Sequence, residues 1–243
     1  MLKNIPPVTR NLLFINIIIF MVQLVLQQRV GNGSDILVQT FGLHFYMAPD
    51  FRIWQLLTYM FLHGSWSHVL LNMFSLWMFG RILEQVMGQK RFLFYYISCG
   101  LGAAVIQELV WTFTWRADFI PALANLNQVS ITYMSQLVDQ ALAAGEELPF
   151  LNQMLTIGAS GGVFGILLAF GMLFPNMPLY LMFIPVPIKA KWMVIGYGLI
   201  ELMFGVSGIM NSVAHFAHLG GMLFGFIVLM YWKKKGLFRG GYY

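Results

Sequence analysis

Six long apolar stretches follow one another along the chain, and the segments between them carry most of the charged residues. The stretches cover roughly residues 11–28, 66–87, 91–113, 157–174, 190–207 and 213–232. A helix that crosses a bilayer needs about 20 mostly apolar residues, so each stretch is long enough to form one transmembrane helix. The pattern predicts an all-α polytopic membrane protein, a bundle of six transmembrane helices that forms a single domain over residues 1–243.

Two of the connecting segments are long enough to have structure of their own. The first loop, residues 29–65, contains apolar and aromatic side chains, so we expect it to lie partly in the membrane interface. The segment 114–153 is more polar and is predicted to be an insertion on the outer side. Its apolar residues at near-helical spacing are Val129, Met134, Leu137, Val138 and Leu142, and Gly145 follows them. This spacing favours a short amphipathic helix that ends near the glycine, although a simple covering loop also fits the pattern.

Composition excludes a water-soluble protein. Hydrophobic residues make up 59% of the chain and charged residues only 9%, against about 45–50% and about 25% in soluble globular domains. The 14 Lys and Arg residues give a net charge of +5, but they are scattered between the apolar stretches and form no single basic patch. No nucleic-acid partner is therefore expected. The expected partners are the lipid bilayer and other membrane proteins.

The basic residues also indicate how the chain is oriented. If the N-terminus is cytoplasmic, most basic residues fall on the cytoplasmic side, namely Lys3, Arg10, Arg81, Lys90, Arg91, Lys189, Lys191, Lys233, Lys234, Lys235 and Arg239. Only Arg29, Arg52 and Arg116 remain outside. Cytoplasmic loops are enriched in Lys and Arg, so both termini are predicted to be cytoplasmic. The start of the chain shows no cleavable signal or transit segment, so a bacterial-type plasma membrane is the expected location.

Three groups of polar residues interrupt the apolar stretches. Polar side chains are costly inside a bilayer, and they usually mark function there. The groups are His63, His68 and Asn72; Ser160 within Gly158–Gly165; and His215 and His218 followed by Gly221 and Gly225. Each group alone is more typical of helix packing than of a catalytic site. In the predicted topology, however, all three lie at the outer ends of their helices, so one shared site is favoured.

The second and third groups have the chemistry of a serine nucleophile with an imidazole base. Glycines around Ser160 leave its hydroxyl unshielded and its neighbouring backbone N–H groups free to bind an anion. Glycines four residues apart in both helices allow the close approach that a Ser–His hydrogen bond requires. By spacing alone, either His215 or His218 could be the base.

The first group has the chemistry of an oxyanion site. His68 and Asn72 are four residues apart, so their side chains lie on one face of a helix. An imidazole and an amide can both donate a hydrogen bond to a developing negative charge.

Together, these strings and their order resemble the rhomboid family of intramembrane serine proteases, over roughly residues 10–232. The most specific strings are Gly158-x-Ser160-Gly161, Ala217-His218-x-x-Gly221-x-x-x-Gly225 and the spacing of His63, His68 and Asn72. The resemblance implies a six-helix fold with Ser160 as the nucleophile and His218, rather than His215, as the general base. It also implies an oxyanion hole formed by His68, Asn72 and the backbone N–H groups of Ser160 and Gly161.

The resemblance assigns supporting roles as well. His63 matches a structural histidine that organises the first loop, and Glu84 matches a buried carboxylate that holds loops together on the cytoplasmic side. The fifth helix and the loop 207–212 match elements that move aside for substrate. Two positions depart from the family pattern: Gln55 stands where many members have Arg, and Phe164 stands where some have Tyr. Arg52 could replace the missing Arg in contact with lipid headgroups, and Phe164 can still stack on the base.

These implications lead to a Ser–His dyad that cleaves single-span or polytopic membrane proteins near the outer end of a transmembrane segment. No acidic residue is expected beside the dyad, so packing by Phe164 is expected to orient His218. Glu108 and Glu201 are expected to make hydrogen bonds between helices. No metal or cofactor is expected, because the histidines have no carboxylate or thiol partner at ligand spacing in the sequence.

Two other classes of protein fit parts of the pattern. A catalytically silent rhomboid-like protein would bind client transmembrane helices, and members of this kind usually lack the Ser or the His. A small transporter or channel would have polar residues through the full membrane depth, whereas here only Glu108 and Glu201 lie deep.

Overall fold

The computed structural model describes residues 5–30, 35–180, 186–207 and 214–237, and these residues are mainly helical. The α-helices are α1 (Pro7–Val30), α2 (Ile36–Phe41), α3 (Gln55–Thr58), α4 (Trp66–Ser75), α5 (Arg81–Met87), α6 (Gln89–Leu126), α7 (Ile131–Ala143), α8 (Ser160–Leu173), α9 (Ala190–Ser207) and α10 (His215–Lys234). A π-helical segment, Leu76–Gly80, joins α4 to α5, and two 3₁₀ segments cover Tyr59–Phe61 and Pro149–Gln153.

Two pairs of very short antiparallel strands complete the described structure. They are β1 (Leu43–His44) with β2 (Leu155–Thr156), and β3 (Pro178–Leu179) with β4 (Ile188–Lys189). In the first pair Leu43 lies opposite Thr156 and His44 lies opposite Leu155. This pairing ties the first loop to the segment that leads directly into α8.

Four of the described helices are long and apolar enough to cross a membrane by length and composition: α1, α6, α9 and α10. The predicted second stretch, 66–87, is helical throughout but is divided by the π-helical segment. The predicted fourth stretch contains α8, which has 14 residues. The chain is a helical integral membrane protein.

The third predicted stretch ends too early. The helix α6 has 38 residues and continues to Leu126, so the first part of the segment 114–153 is an extension of this helix. Arg116 and Asp118 interrupt the apolar pattern, but charged residues do not by themselves end a helix. Trp115, Ile120 and Ala124 are buried on this extension, and their packing accounts for the continuation.

The rest of the segment 114–153 contains the short helix α7. The Ser130 side chain accepts a hydrogen bond from the Tyr133 N–H and caps its start. At its end Gly145 has φ +74°, and the Gly145 and Glu146 N–H groups donate to the Leu142 and Ala141 carbonyls. These bonds form a Schellman motif, for which a glycine with positive φ is favoured.

The helix α7 packs on the first loop. Met134 and Val138 are buried in one apolar cluster with Phe45 of the first loop and Trp115 of α6. The spacing also predicts Leu137 in this apolar group, but it lies at the edge of the buried face and is exposed. The first loop and the segment 114–153 therefore form a shared layer.

The main core lies where α10 packs between α6 and α8. Glycines allow this close approach, because a Cβ at Gly221 would overlap the Gly161 backbone and a Cβ at Gly165 would overlap Cys99. A Cβ at Gly225 would overlap the Tyr95 hydroxyl. The small residues of α8 and α10 thus bring the N-terminal ends of these two helices together.

Polar contacts attach α1 to this core. The buried Glu84 carboxylate accepts hydrogen bonds from the Val8 N–H (2.9 Å) and from the Thr9 N–H and hydroxyl (both 2.7 Å). It therefore satisfies free N–H groups at the first turn of α1. Further along α1, the Gln23 side chain accepts from the His63 N–H and donates to the His63 carbonyl.

Candidate active site

Ser160 is the first residue of α8, and its approach is fixed by Gly158. The Gly158 N–H donates to the Tyr59 carbonyl over 2.9 Å, and Gly158 has φ +130°, a conformation that residues with a Cβ rarely adopt. A Cβ at this position would also lie 2.7 Å from His68 Nε2. Glycine is therefore required by both the backbone conformation and the space beside the serine.

The Ser160 hydroxyl contacts His218. Its Oγ lies 2.7 Å from His218 Nε2, within the range of a strong hydrogen bond. His218 is 8% exposed, and its ring stacks on Phe164 with centroids 4.2 Å apart and planes 7° apart. Of the two histidines that spacing left open, His218 therefore contacts the serine.

His215 lies on the same side of α10 but contacts a different residue. Its Nδ1 makes a 2.7 Å hydrogen bond with Glu201 Oε2 of α9. The same carboxylate oxygen lies 2.9 Å from His218 Nδ1, although this second contact lacks the alignment of a hydrogen bond. The expectation that no acidic residue lies beside the dyad is wrong.

The sequence did not predict that Glu201 lies beside His218, because Glu201 is 14 residues before His215 and on a different helix. The helical pattern of α9 and α10 does not fix their mutual register. A carboxylate within an apolar stretch was the available signal, and the expected hydrogen bond between helices is present at Glu201. The other deep glutamate, Glu108, accepts from the Tyr46 N–H of the first loop.

The three side chains Glu201, His215 and His218 also affect the expectation about metals. One ligand atom from each lies within 4.8 Å of the others, a spacing that could hold a metal ion. The premise that the histidines have no carboxylate partner is therefore wrong. The 2.7 Å bond from His215 is typical of a charge-assisted hydrogen bond, which accounts for the cluster without an ion.

His68 lies on the other side of Ser160. Its Nε2 faces Gly158, and its Nδ1 accepts a long, 3.4 Å hydrogen bond from the Gly64 N–H. An acceptor role at Nδ1 leaves the proton on Nε2, where it can be donated beside Ser160. As the first residues of α8, Ser160 and Gly161 also have N–H groups without a carbonyl partner inside the helix.

Asn72 is buried one turn after His68, as the spacing predicts, but its side chain is used locally. The Asn72 amide donates to the His68 carbonyl over 3.1 Å. One of its amide protons therefore stabilises α4, and only the other is left for a ligand.

His63 is buried behind His68, with the two ring centroids 5.0 Å apart. Burial, with a smaller contribution from the neighbouring His68, lowers the pKa of His63 to about 3. The neutral His63 ring packs against His68, and the two hydrogen bonds of the Gln23 side chain attach His63 to α1. His63 therefore connects α1 and the first loop to the histidine beside the serine.

The two departures from the family pattern have clear structural surroundings. Gln55 is fully buried and links the first loop by accepting from the His44 and Arg52 N–H groups and donating to the Thr40 and Asp50 carbonyls. The Arg52 side chain donates to backbone carbonyls within the loop. Of the loop 207–212, only Ser207 falls among the described residues.

A polar cavity of about 760 Å³ approaches the site between α6, the segment before α8, and the ends of α9 and α10. Its polar lining includes Gln107, Thr114, Asp118, Gln153, Thr156 and His215. His215 thus lines the cavity and also contacts the carboxylate beside His218.

Comparisons with known proteins agree with a helical membrane fold. The Rhomboid domain family matches residues 50–235. "RHOMBOID-like protein 6, mitochondrial" of Arabidopsis thaliana is 26% identical over 183 residues, which are 73% of this chain and 44% of that protein. "Rhomboid protein 1, mitochondrial" of Saccharomyces cerevisiae is 26% identical over 174 residues, 72% of this chain and 40% of that protein. "Rhomboid-like protein 11, chloroplastic" of Arabidopsis thaliana is 25% identical over 212 residues, 78% and 56% of the two chains.

The matched region spans about two fifths to just over half of the length of these relatives. The family match covers more than half of the chain and contains the groups around Ser160 and His218. The chain therefore belongs to the rhomboid family.

Proposed function

We propose that the protein is an intramembrane serine endopeptidase that uses Ser160 as nucleophile and His218 as general base. The observation that carries this proposal is the 2.7 Å contact between Ser160 Oγ and His218 Nε2. A serine hydroxyl is a weak nucleophile at neutral pH unless a base within hydrogen-bond distance takes its proton. A member that only binds client helices has no need of this contact.

In the first step, His218 Nε2 takes the proton of Ser160 as Oγ attacks the carbonyl carbon of a peptide bond. The negative charge that develops on the carbonyl oxygen is stabilised by His68 Nε2–H, by the free amide proton of Asn72 and by the N–H groups of Ser160 and Gly161. His218 then donates its proton to the leaving nitrogen, and the acyl-enzyme remains.

In the second step, water hydrolyses the acyl-enzyme. His218 takes a proton from the water as its oxygen attacks the ester carbon, and returns that proton to Ser160 Oγ. The polar cavity beside His215 supports this step, since it provides a place for water next to an otherwise apolar bundle.

We propose six transmembrane segments with both termini cytoplasmic, in one rhomboid-type domain over residues 1–243. The segments are α1, the continuous helical run from α4 to α5, α6, α8, α9 and α10. The asymmetric distribution of Lys and Arg supports the orientation. Although α1 lies before the matched residues 50–235, its bonds to Glu84 and His63 support its inclusion in the domain.

The proposed substrates are single-span or polytopic membrane proteins, cut near the outer end of a transmembrane segment. A regular helix hides its carbonyls in its own hydrogen bonds, so residues that weaken the helix there favour cleavage. The proposed location is a bacterial-type plasma membrane, whereas the relatives named above are mitochondrial or chloroplastic by name. Membrane fractionation of the source cells tests this location.

A fluorophosphonate probe tests the proposed chemistry without knowledge of the substrate. An activated serine attacks phosphorus, fluoride leaves, and a stable phosphonyl ester remains on Oγ. We expect the folded chain in mild detergent to be labelled and Ser160→Ala and His218→Ala to lose labelling. A folded wild-type protein that is never labelled would contradict the proposal and favour the silent client-binding protein.

A further inference from the structure

One mostly shielded carboxylate oxygen lies between two imidazole rings next to the candidate dyad. Glu201 Oε2 is 2.7 Å from His215 Nδ1 and 2.9 Å from His218 Nδ1. The Glu201 side chain is 12% exposed, and those of His215 and His218 are 6% and 11% exposed. A carboxylate in such surroundings is costly unless it is paired, so this contact requires an explanation.

The contact has a direct effect on which nitrogen of His218 carries the proton. A carboxylate beside Nδ1 favours the tautomer with hydrogen on Nδ1 and leaves Nε2 as an acceptor. Nε2 is the atom that lies 2.7 Å from Ser160 Oγ, and the base must accept a proton there. The position of the carboxylate therefore matches the protonation state that the dyad requires.

The contact also favours the charged state of His218 that follows proton transfer. An imidazolium at this buried position has no bulk water around it, and an anion 2.9 Å away offsets that loss. The imperfect alignment of this contact is not an obstacle, since hydrogen bonds in free enzymes often tighten only when substrate binds.

His215 holds the carboxylate in place. Its hydrogen bond to Glu201 is the shorter and better aligned of the two contacts, and its ring lies against Phe204 of α9 with centroids 5.6 Å apart. A spacing of three residues puts His215 and His218 on one side of α10, so both rings reach the same oxygen.

We propose that Glu201 is a positioning residue that orients His218 and balances its charge, and that His215 fixes Glu201 for this purpose. The site is then a Ser160–His218–Glu201 set rather than a dyad. This inference rests on the proposed function, because it concerns the base of that same reaction.

The test is the rate of fluorophosphonate labelling of the full chain in detergent, measured from about pH 5 to about pH 9, across the ordinary titration range of histidine. The titratable or polar groups that face His218 are Glu201 from α9, His215 from its own helix, Ser160 from α8 and His68 from α4. A chelator is present throughout, so that metal binding at the Glu201 cluster does not contribute.

For Glu201→Gln we expect the plateau rate to fall about 100-fold or more, as expected for a base left in the wrong tautomer. The dependence of the labelling rate on pH should also differ from that of wild type, because the carboxylate has been replaced by a neutral amide. Glu201→Asp should recover part of the rate, and His215→Ala should lower it about 10-fold through a less ordered carboxylate. The matched control is Glu108→Gln, which keeps an oxygen acceptor for the Tyr46 N–H and should label within about 2-fold of wild type.

Several results would overturn the inference. Glu201→Gln labelling with the wild-type rate and pH profile would remove the positioning role and leave the proposed function intact. A lower yield of folded protein with an unchanged rate per folded molecule would make Glu201 merely structural. In a separate measurement, labelling of Glu201→Gln that returns when Zn²⁺ replaces the chelator would also contradict it. If folded wild type is not labelled at any pH, the proposed function fails and this inference fails with it.

Discussion

The helices α8 and α9 both contribute to the candidate site, but they are held in different ways. Nine of the 14 residues of α8 are buried, whereas in α9 only Ala190, Met193 and Val194 of 18 residues are buried. The second half of α9 has large apolar side chains on the outside of the bundle, such as Met203 and Val206. In that half, the bond from Glu201 to His215 is a polar link to α10.

This difference separates two ways of positioning a reactive group. Ser160 is fixed by close backbone packing, in which glycines of α8 and α10 leave no space for a Cβ. Glu201 is fixed by charge and hydrogen bonding on a helix with little packing. Substitutions that add volume should therefore be severe on the α8–α10 side and mild on α9, while loss of charge should matter on α9.

The largest effect expected from this comparison is that of Gly221→Ala. Its Cβ would overlap the Gly161 backbone, which cannot move without separating the two helices. We expect the free energy of unfolding to fall by about 3 kcal/mol. We also expect most of the labelling by the fluorophosphonate probe to be lost.

The matched control is Gly196→Ala on α9, where no atom lies within 4 Å of the added Cβ. It should be as stable as wild type or more stable, because Ala favours a helix over Gly. Thermal unfolding in detergent measures the stability of both variants. Equal stability of the two would contradict the account of glycine packing.

A smaller effect is expected from acidification at the packed side of the site. His63 has its pKa lowered to about 3 by burial, whereas in the unfolded chain it takes up a proton below about pH 6.5. Its contribution to stability is therefore fully present above about pH 6.5 and is lost as the pH falls toward about 3. The loss at about pH 5 is about 2 kcal/mol.

The measurement is the difference in melting temperature between about pH 7 and about pH 5, on either side of the ordinary histidine pKa. This difference should be smaller in His63→Gln than in wild type, since glutamine does not titrate. The other histidines are present in both proteins and serve as the internal reference. Equal differences would show that His63 is not held neutral by the fold.

The smallest effect is expected for Phe164, a residue of α8 that contacts both α10 and α9. Its ring stacks on His218 and also lies edge-on to Tyr197 of α9, with centroids 6.4 Å apart. Removing a ring contact of this kind costs about 0.5–1.5 kcal/mol, so Phe164→Leu should label about 2- to 10-fold more slowly. Phe164→Tyr keeps the ring and should label at nearly the wild-type rate. A loss as large as that of Glu201→Gln would mean that stacking, not the carboxylate, orients His218.

The parts of this structure that sequence predicts are those set by local pattern. Each apolar stretch contains a helix, because hydrophobic length and the absence of breakers act within one segment. The glycines near Ser160 and His218 predict that their two helices pack closely, because small residues occur where helices come close. The end of α7 can also be predicted from Gly145, because the residue that follows a helix often adopts a positive φ and is then usually glycine.

The parts that sequence misses depend on contacts between distant segments. The extension of α6 beyond residue 113 is stabilised by burial of Trp115 and Ile120 against the layer that contains α7. Glu201 meets His215 only because of the register between two helices, and Gln55 replaces an expected Arg by binding four backbone groups of the first loop. Such contacts leave no periodic signal in one sequence.

The central claim is that Ser160 is a nucleophile activated by His218, and the location of the fluorophosphonate adduct tests it most directly. Peptide mapping by mass spectrometry of the labelled, folded protein should find the phosphonyl group on Ser160 alone and find none in His218→Ala. An adduct on another serine, such as Ser65 or Ser67 near His68, or no adduct on Ser160 in folded protein, would contradict the account.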